Sequence, residues 1–188
     1  MNTWREVHGV LPVLSTPFKD NDEIDREILE REIEWVLGFG ADGVATGMVS
    51  EILRISPGER MYLHEIVAEC TKKLGGIIVL SAGGESTKKV IKFAKHAESC
   101  HADAVMVNPP LSTVLDDKEV FRHYCSVLES TEIPLIVQDA SGYVGRPLSL
   151  DVQSRLLKEF GERVYFKPEA IPIGPRLSLF LEVTDGKA

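Results

Sequence analysis

Short apolar runs alternate with polar loops and longer amphipathic stretches along nearly the whole chain. Six runs read as strands, at residues 9–14 (GVLPVL), 42–46 (DGVAT), 77–81 (IIVLS), 103–107 (DAVMV), 134–138 (PLIVQ) and 163–166 (RVYF). Each is almost continuously apolar rather than alternating, the pattern of strands buried on both faces. The stretches between them read as helices with legible ends. Ser56-Pro57-Gly58-Glu59 is a capping box with proline at the first helical position. Asp116 and Glu119 repeat the cap-and-return spacing, and Ser149 opens a helix carrying Val152, Leu156 and Leu157. Val90, Ile91, Ala94 and Ala97 form one apolar stripe. Helix stops fall at Gly38 and Gly40, at Gly75-Gly76 and at Gly161.

Strand–helix alternation repeated six times predicts an α/β fold with a parallel sheet. A doubly wound nucleotide-binding sheet should carry G-x-G-x-x-G after its first strand. Here the first strand runs into STPFKDND, which has no glycine, so a closed (β/α)₈ barrel is the better expectation. Such a barrel takes roughly 250 residues and eight strands. This chain has 188 residues and six strand runs, followed by one more helical stretch, RLSLFLEVTDGKA. The expectation is a single barrel domain over residues 1–188, holding about the first six β/α units and incomplete at its C-terminal end.

Composition narrows the classes. Hydrophobic residues make up 44% and charged residues 27%, the balance of a soluble globular protein. A net charge of −8 argues against a nucleic-acid surface, which needs clustered cations. Lys72, Lys73, Lys88, Lys89, Lys92 and Lys95 cluster on helices and read as solvated outer faces. Cys70, Cys100 and Cys125 lie far apart and read as reduced thiols. The N-terminus MNTWREVHGV lacks an apolar leader core, and no run reaches the ~18 apolar residues of a membrane span, so a cytoplasmic protein is expected.

In a barrel the chemistry belongs to the loops at the C-terminal ends of the strands. Those loops carry Ser15 and Thr16, then Gly47-Met48-Val49-Ser50-Glu51, then Ala82 to Glu85, Asn108-Pro109-Pro110, Gln138 with Asp139, and Lys167 with Glu169. Lys167 stands one position past the apolar end of the sixth run. Desolvation there would favour the neutral, nucleophilic amine that a Schiff-base enzyme needs. The bland reading is a snorkelling surface lysine. Glu51 reads either as a catalytic carboxylate or as a brace for its loop, and Asp139, in D-A-S-G, also reads as a turn former. Gly83-Gly84 could cradle an anion, though a lone Gly-Gly is a weak signal. His8, His64, His96, His101 and His123 fall mainly on helices at spacings unlike metal ligands, so neither metal nor cofactor is implied.

Together these pieces resemble the dihydrodipicolinate synthase / N-acetylneuraminate lyase family. The resemblance is carried by Thr16-Pro17-Phe18, Gly47 to Glu51, Ser56 to Arg60, Ala102-Asp103-Ala104-Val105, Gly142 with Gly145, and Phe166-Lys167, in that order from about Val10 onward. It implies a (β/α)₈ barrel, class I lyase or aldolase chemistry, a small 2-keto acid such as pyruvate as substrate, and a homodimer or homotetramer. It implies Lys167 as the imine-forming residue and Gly47, Met48, Val49, Ser50 and Glu51 as the loop that holds the substrate carboxylate; Gln138 is expected to orient substrate or water, and Asp139 to contact the substrate.

Departures accompany the resemblance. The family commonly reads G-T-T-G-E, whereas Met48 and Val49 replace both threonines here, leaving Ser50 and the backbone as donors. Gln138 stands where the family has a catalytic tyrosine, and an amide cannot act as acid or base at neutral pH. Pro110 and Leu111 replace the tyrosines that follow strand four in the family. These changes point to a 2-keto acid other than the lysine-pathway substrate. The alternative reading is a non-catalytic or truncated member acting as a binding or scaffold protein. A phosphate- or flavin-binding barrel is the weakest reading, because that phosphate site follows strands seven and eight.

Overall fold

The computed structural model describes residues 4–142 and 145–187. The first three residues of the N-terminal stretch read above for leader character lie outside them. Five strands follow chain order in a sheet, β1 (Gly43–Ala45), β2 (Ile77–Ser81), β3 (Ala104–Val107), β4 (Leu135–Asp139) and β5 (Val164–Pro168). Six helices alternate with them: α1 (Arg26–Gly38), α2 (Pro57–Lys73), α3 (Thr87–Ser99), α4 (Asp117–Leu128), α5 (Leu150–Phe160) and α6 (Ile173–Val183). The pairings β1–β2 and β4–β5 are parallel. This is the predicted α/β alternation.

The chain resolves into two compact units, Met1–Ser81 with Lys95–Val105, and Ala82–Ala94 with Met106–Ala188. In the first, α1 buries Leu29 and Ile33, and α2 buries Leu63, Ile66 and Val67. Asp25 caps α1 by accepting the Ile28 N–H at 3.1 Å. Ser56 and Glu59 close the predicted capping box on α2, satisfying two amide donors that the first turn leaves free. Asp103 is buried and accepts from Ile78 N–H at 2.9 Å and from the Arg5 guanidinium at 2.7 Å. One carboxylate thus ties β2 to the residues that lead into β3 and to the N-terminal stretch.

Residues 9–14 depart from expectation. They form one parallel bridge, Val13 to Ala45, instead of a strand. Leu14 N–H donates to Ala45 O and Ala45 N–H to Pro12 O, both at 2.9 Å. Pro12 has no N–H to give to the next rung, which is left with the single donation from Asp42 N–H to Val10 O at 3.0 Å.

In the second unit, Asp116 and Glu119 cap α4 reciprocally and Ser149 caps α5 through Val152 N–H. Tyr124, Val127, Leu128, Leu135, Val137, Val152 and Leu156 are almost wholly buried. Helix α6 is apolar nearly all round, yet only Phe180 is buried, against Phe166 at 4.8 Å between ring centroids. Ile173, Leu177, Leu179, Leu181 and Val183 remain partly exposed. Among the described residues no helix is long and apolar enough to cross a membrane. The six clustered lysines are exposed, as their helical setting predicts, and all three cysteines are free thiols.

Candidate active site

The strand pairing that holds Lys167 differs from the sequence reading in a way that matters. The sixth apolar run was expected to end at Phe166, with the lysine just beyond it. Strand β5 instead continues through Pro168, and the ladder places Lys167 directly opposite Gln138 on β4. Paired residues of a parallel ladder point to the same face. The Lys167 side chain is therefore neighbour to the Gln138 amide, and it is 38% exposed rather than buried. Glu169 lies two positions further on. Its backbone N–H donates to Asp139 O at 3.1 Å, prolonging the β4–β5 contact past the strand end.

Glu169 joins the two. Its Oε1 lies 2.7 Å from Lys167 Nζ, and its Oε2 accepts from Gln138 Nε2 at 2.8 Å. Gln138 is itself buried. The carboxylate is thus held by a fixed amide on one oxygen and faces the amine with the other. Glu169 is the residue whose part the sequence understates. The signal available was the K-x-E spacing, which puts two side chains on one face of an extended chain.

Asp139 turns away from this group. Its Oδ1 accepts from Ser141 N–H at 3.2 Å and Ser141 Oγ at 2.6 Å, and its Oδ2 accepts from Leu148 N–H at 2.9 Å, with Arg176 Nη2 3.8 Å away. These bonds tie down both ends of the segment between β4 and α5. Tyr124 of α4 is fully buried and donates its hydroxyl to Val107 O at 3.2 Å. Burial, reinforced by the Asp139 carboxylate, raises its pKa well above the ordinary phenol range.

The loops after β2 and β3 in this unit are also built. A Cβ at Gly83 would lie 2.1 Å from Asn108 Oδ1, so any side chain there would displace the Asn108 amide. Glu85 accepts the N–H groups of Leu111 and Ser112 and the Ser112 hydroxyl. Partial burial works against its charge, but those donors outweigh it and lower its pKa. A cleft of about 400 Å³ is lined by Glu85 and Pro110 of these two loops with Thr87, Arg122 and His123, and Lys167, Gln138 and Asp139 are not in its lining.

In the first unit, residues Met48–Ser50 form a 3₁₀ turn directly after β1. Gly47 N–H donates to Ser50 Oγ at 3.0 Å, and Ser50 Oγ donates to Leu14 O at 2.5 Å. Thr16 Oγ1 donates to Ser50 O at 2.7 Å. The Ser50 hydroxyl is thus spent inside the loop, and the T-P-F and G-x-x-x-E pieces are parts of one hydrogen-bonded cage. Met48 is half-buried and Val49 is 63% exposed. Glu51 takes left-handed backbone angles (φ 59°) and pairs with Arg54. For a residue with a Cβ that geometry costs about 1–2 kcal/mol, and it turns the loop toward α2.

The arginine of S-P-G-E-R is bonded to the end of the neighbouring strand, β2. Arg60 is buried, and its Nη2 donates to Ser81 O at the end of β2 at 2.5 Å. Burial lowers its pKa to about 10. The buried His64 beside it is held neutral, down to about 3, by desolvation and then by the Arg60 charge. His64 and His96 stack at 6.0 Å. Among the described residues no group of three or more His, Cys, Asp or Glu could hold a metal ion.

Comparison with known proteins agrees with the loop order. The 4-hydroxy-tetrahydrodipicolinate synthase of Methanothrix thermoacetophila is 31% identical over 180 residues, which is 95% of this chain and 59% of that protein. An uncharacterized DapA-like lyase of Pyrococcus furiosus is 32% identical over 162 residues, 86% of this chain and 53% of the relative. Among solved structures, the 4-hydroxy-tetrahydrodipicolinate synthase of Methylacidiphilum fumariolicum SolV superposes with a TM-score of 0.87 at 27% identity, covering 94% of this chain and 58% of that one. The chloride-inhibited dihydrodipicolinate synthase of Acinetobacter baumannii, complexed with pyruvate, gives 0.88 at 26%, covering 95% and 61%. The chain spans 53–61% of the length of these relatives and corresponds to part of a (β/α)₈ barrel. The model of the dihydrodipicolinate synthetase family matches residues 6–167, from the N-terminal stretch through Lys167, and the chain belongs to that family.

Proposed function

We propose that this chain carries the catalytic lysine of a Schiff-base-forming lyase acting on pyruvate or another 2-keto acid. The observation that carries the reading is Lys167 itself, set in the β4–β5 ladder opposite Gln138 with its amine reachable from solvent. The neutral amine adds to the keto carbon, water leaves, and the protonated imine accepts electrons from a bond broken at the adjacent carbon. A bond that would otherwise leave an unstable carbanion can then break or form. Family membership and the lyase and synthase relatives support this chemistry.

Gly47, Met48, Val49, Ser50 and Glu51 form the proposed carboxylate-holding loop. Ser50 and Gly47 are bonded to each other, which makes the Met48 and Val49 N–H groups the proposed donors, with Glu51 turning the loop. Gln138 orients substrate or water as a hydrogen-bond partner, and Asp139 fixes the segment that follows β4. Loss of the two threonine hydroxyls supports a substrate other than that of lysine biosynthesis. A cytoplasmic homo-oligomer is the assembly proposed with this reading. A non-catalytic binding protein on the same fold is the second reading, favoured by Gln138, an amide that cannot relay protons.

Borohydride trapping tests the choice. The folded chain and its Lys167→Ala variant are incubated with pyruvate and a panel of 2-keto acids, reduced, and weighed intact by mass spectrometry. One reduced adduct, absent from Lys167→Ala, is the expected result, and the acid that labels fastest narrows the substrate. Folded protein that gains no adduct with any acid sinks the enzymatic reading in favour of the binding one.

A further inference from the structure

The proposed imine chemistry needs a proton carrier, and the tyrosine that would serve is a glutamine here. We propose that Glu169 is the general acid–base residue of the site, exchanging protons directly with Lys167 Nζ while Gln138 holds its carboxylate in place. This assignment rests on the Schiff-base reading and extends it by one catalytic residue.

Three observations fix Glu169 where such a group must be. Its Oε1 is 2.7 Å from Lys167 Nζ, within the distance at which a proton passes directly. Its Oε2 accepts from the buried Gln138 amide at 2.8 Å, so the carboxylate cannot swing freely as a surface ion pair does. Its backbone is pinned twice. Glu169 N–H donates to Asp139 O at 3.1 Å, and a Cβ built on Gly142 would lie 2.8 Å from Glu169 O, so a glycine is required for the approach. Glu169 is 21% exposed, which leaves it open to a substrate while limiting competition from water. Gln138 then has a physical task, as a positioning residue for the carboxylate.

The cycle balances. The Glu169 carboxylate takes a proton from the Lys167 ammonium, giving a neutral amine and a carboxylic acid. The amine lone pair forms the C–N bond as the keto π bond opens onto oxygen. A proton shift from nitrogen to oxygen then gives the carbinolamine. Glu169 returns its proton to the hydroxyl, the C–O bond breaks, and water leaves as the nitrogen lone pair closes the protonated C=N bond. The carboxylate is regenerated, and the net change is ammonium plus ketone to iminium plus water.

The test is the rate of borohydride-trapped adduct with pyruvate for wild type, Glu169→Gln and Glu169→Asp, each checked for folding by circular dichroism, between about pH 6 and pH 9. Glutamine can still accept from Gln138 but has no proton to exchange near neutral pH. Glu169→Gln is expected to trap about 10²-fold more slowly at neutral pH, with the deficit shrinking as pH rises and the amine deprotonates unaided. A folded Glu169→Gln chain that traps at the wild-type rate overturns the proposal. So does a deficit that stays constant across the pH range, the mark of a merely structural role. Glu169→Asp keeps the carboxylate one methylene short and covers the case of a glutamine chain that does not fold. It is expected to trap about tenfold more slowly than wild type with the wild-type pH dependence, and a wild-type rate from it overturns the proposal. Wild type that forms no adduct with any 2-keto acid removes the Schiff-base reading, and Glu169 falls with it. A wild type that traps normally while Glu169→Gln does too removes Glu169 alone.

Discussion

At the scale of single residues, the candidate chemistry depends on a few donors and on what the neighbouring side chains do with them. Lys167 is ion-paired to Glu169, Gln138 donates to Glu169, and the Ser50 hydroxyl is committed to Leu14 O. If the Gly47–Glu51 loop holds a carboxylate, it does so without the family's threonine hydroxyls. Val49 is exposed and β-branched, so Val49→Thr changes little but one methyl for a hydroxyl. The expected outcome is tighter substrate capture, with the pyruvate concentration for half-maximal adduct formation falling about fivefold for one added hydrogen bond. An unchanged midpoint would place the carboxylate elsewhere. Lys167 was legible because it follows the apolar Val164-Tyr165-Phe166 and completes the order of the family's motifs. Glu169 was less so, because its partner Gln138 is 31 positions away and only strand pairing brings them together.

At the scale of elements, helix starts were the most readable feature of the chain. Ser56 with Glu59, Asp116 with Glu119, and Ser149 all cap where the sequence places them. Capping is a local bargain between a side chain and amides two or three residues away, so local sequence suffices to specify it. Ser56→Ala is expected to cost about 1 kcal/mol, seen as a lower urea midpoint with an unchanged slope. A midpoint equal to wild type would mean that solvent satisfies the first turn of α2 as well as the serine does. Strand limits were less readable. The run at 9–14 has strand composition, but Pro12 withholds an N–H the ladder needs, and the run is held by the Val13–Ala45 bridge and the Asp42 N–H donation to Val10 O rather than as a strand. The run at 163–166 extends two residues further because β4 offers partners as far as Asp139.

At the scale of the whole molecule, two buried histidines make stability depend on pH. His123 is lowered to about 4 by burial, and His64 to about 3 by burial and the Arg60 charge, from an ordinary 6.5. Below pH 6.5 the unfolded chain takes up these protons while the folded chain does not. The stabilisation is therefore complete above that value and is lost as pH falls toward the folded values. The slope approaches about 1.4 kcal/mol per pH unit for each histidine. Urea midpoints are expected to drop from pH 7 to pH 5, and His123→Gln to reduce that drop by about half, since two groups share it. Midpoints that stay level across the interval would show that both rings titrate normally.

The sequence by itself determined the α/β alternation, the helix caps and the family, the last through the order of T-P-F, G-x-x-x-E, S-P-G-E-R and the lysine. Each is written in neighbouring residues or in the order of short motifs, so no long-range contact is needed to read it. Tertiary structure alone decided which side chains meet: Lys167 with Glu169, Glu169 with Gln138, Thr16 with Ser50, and Asp103 with Ile78 and Arg5. It also decided that Ser50 and Asp139 hold loops, because a hydroxyl or carboxylate shows its use only when the donors and acceptors around it are in place. Burial acted the same way on His64, whose neutrality depends on the desolvation and the Arg60 charge that packing provides.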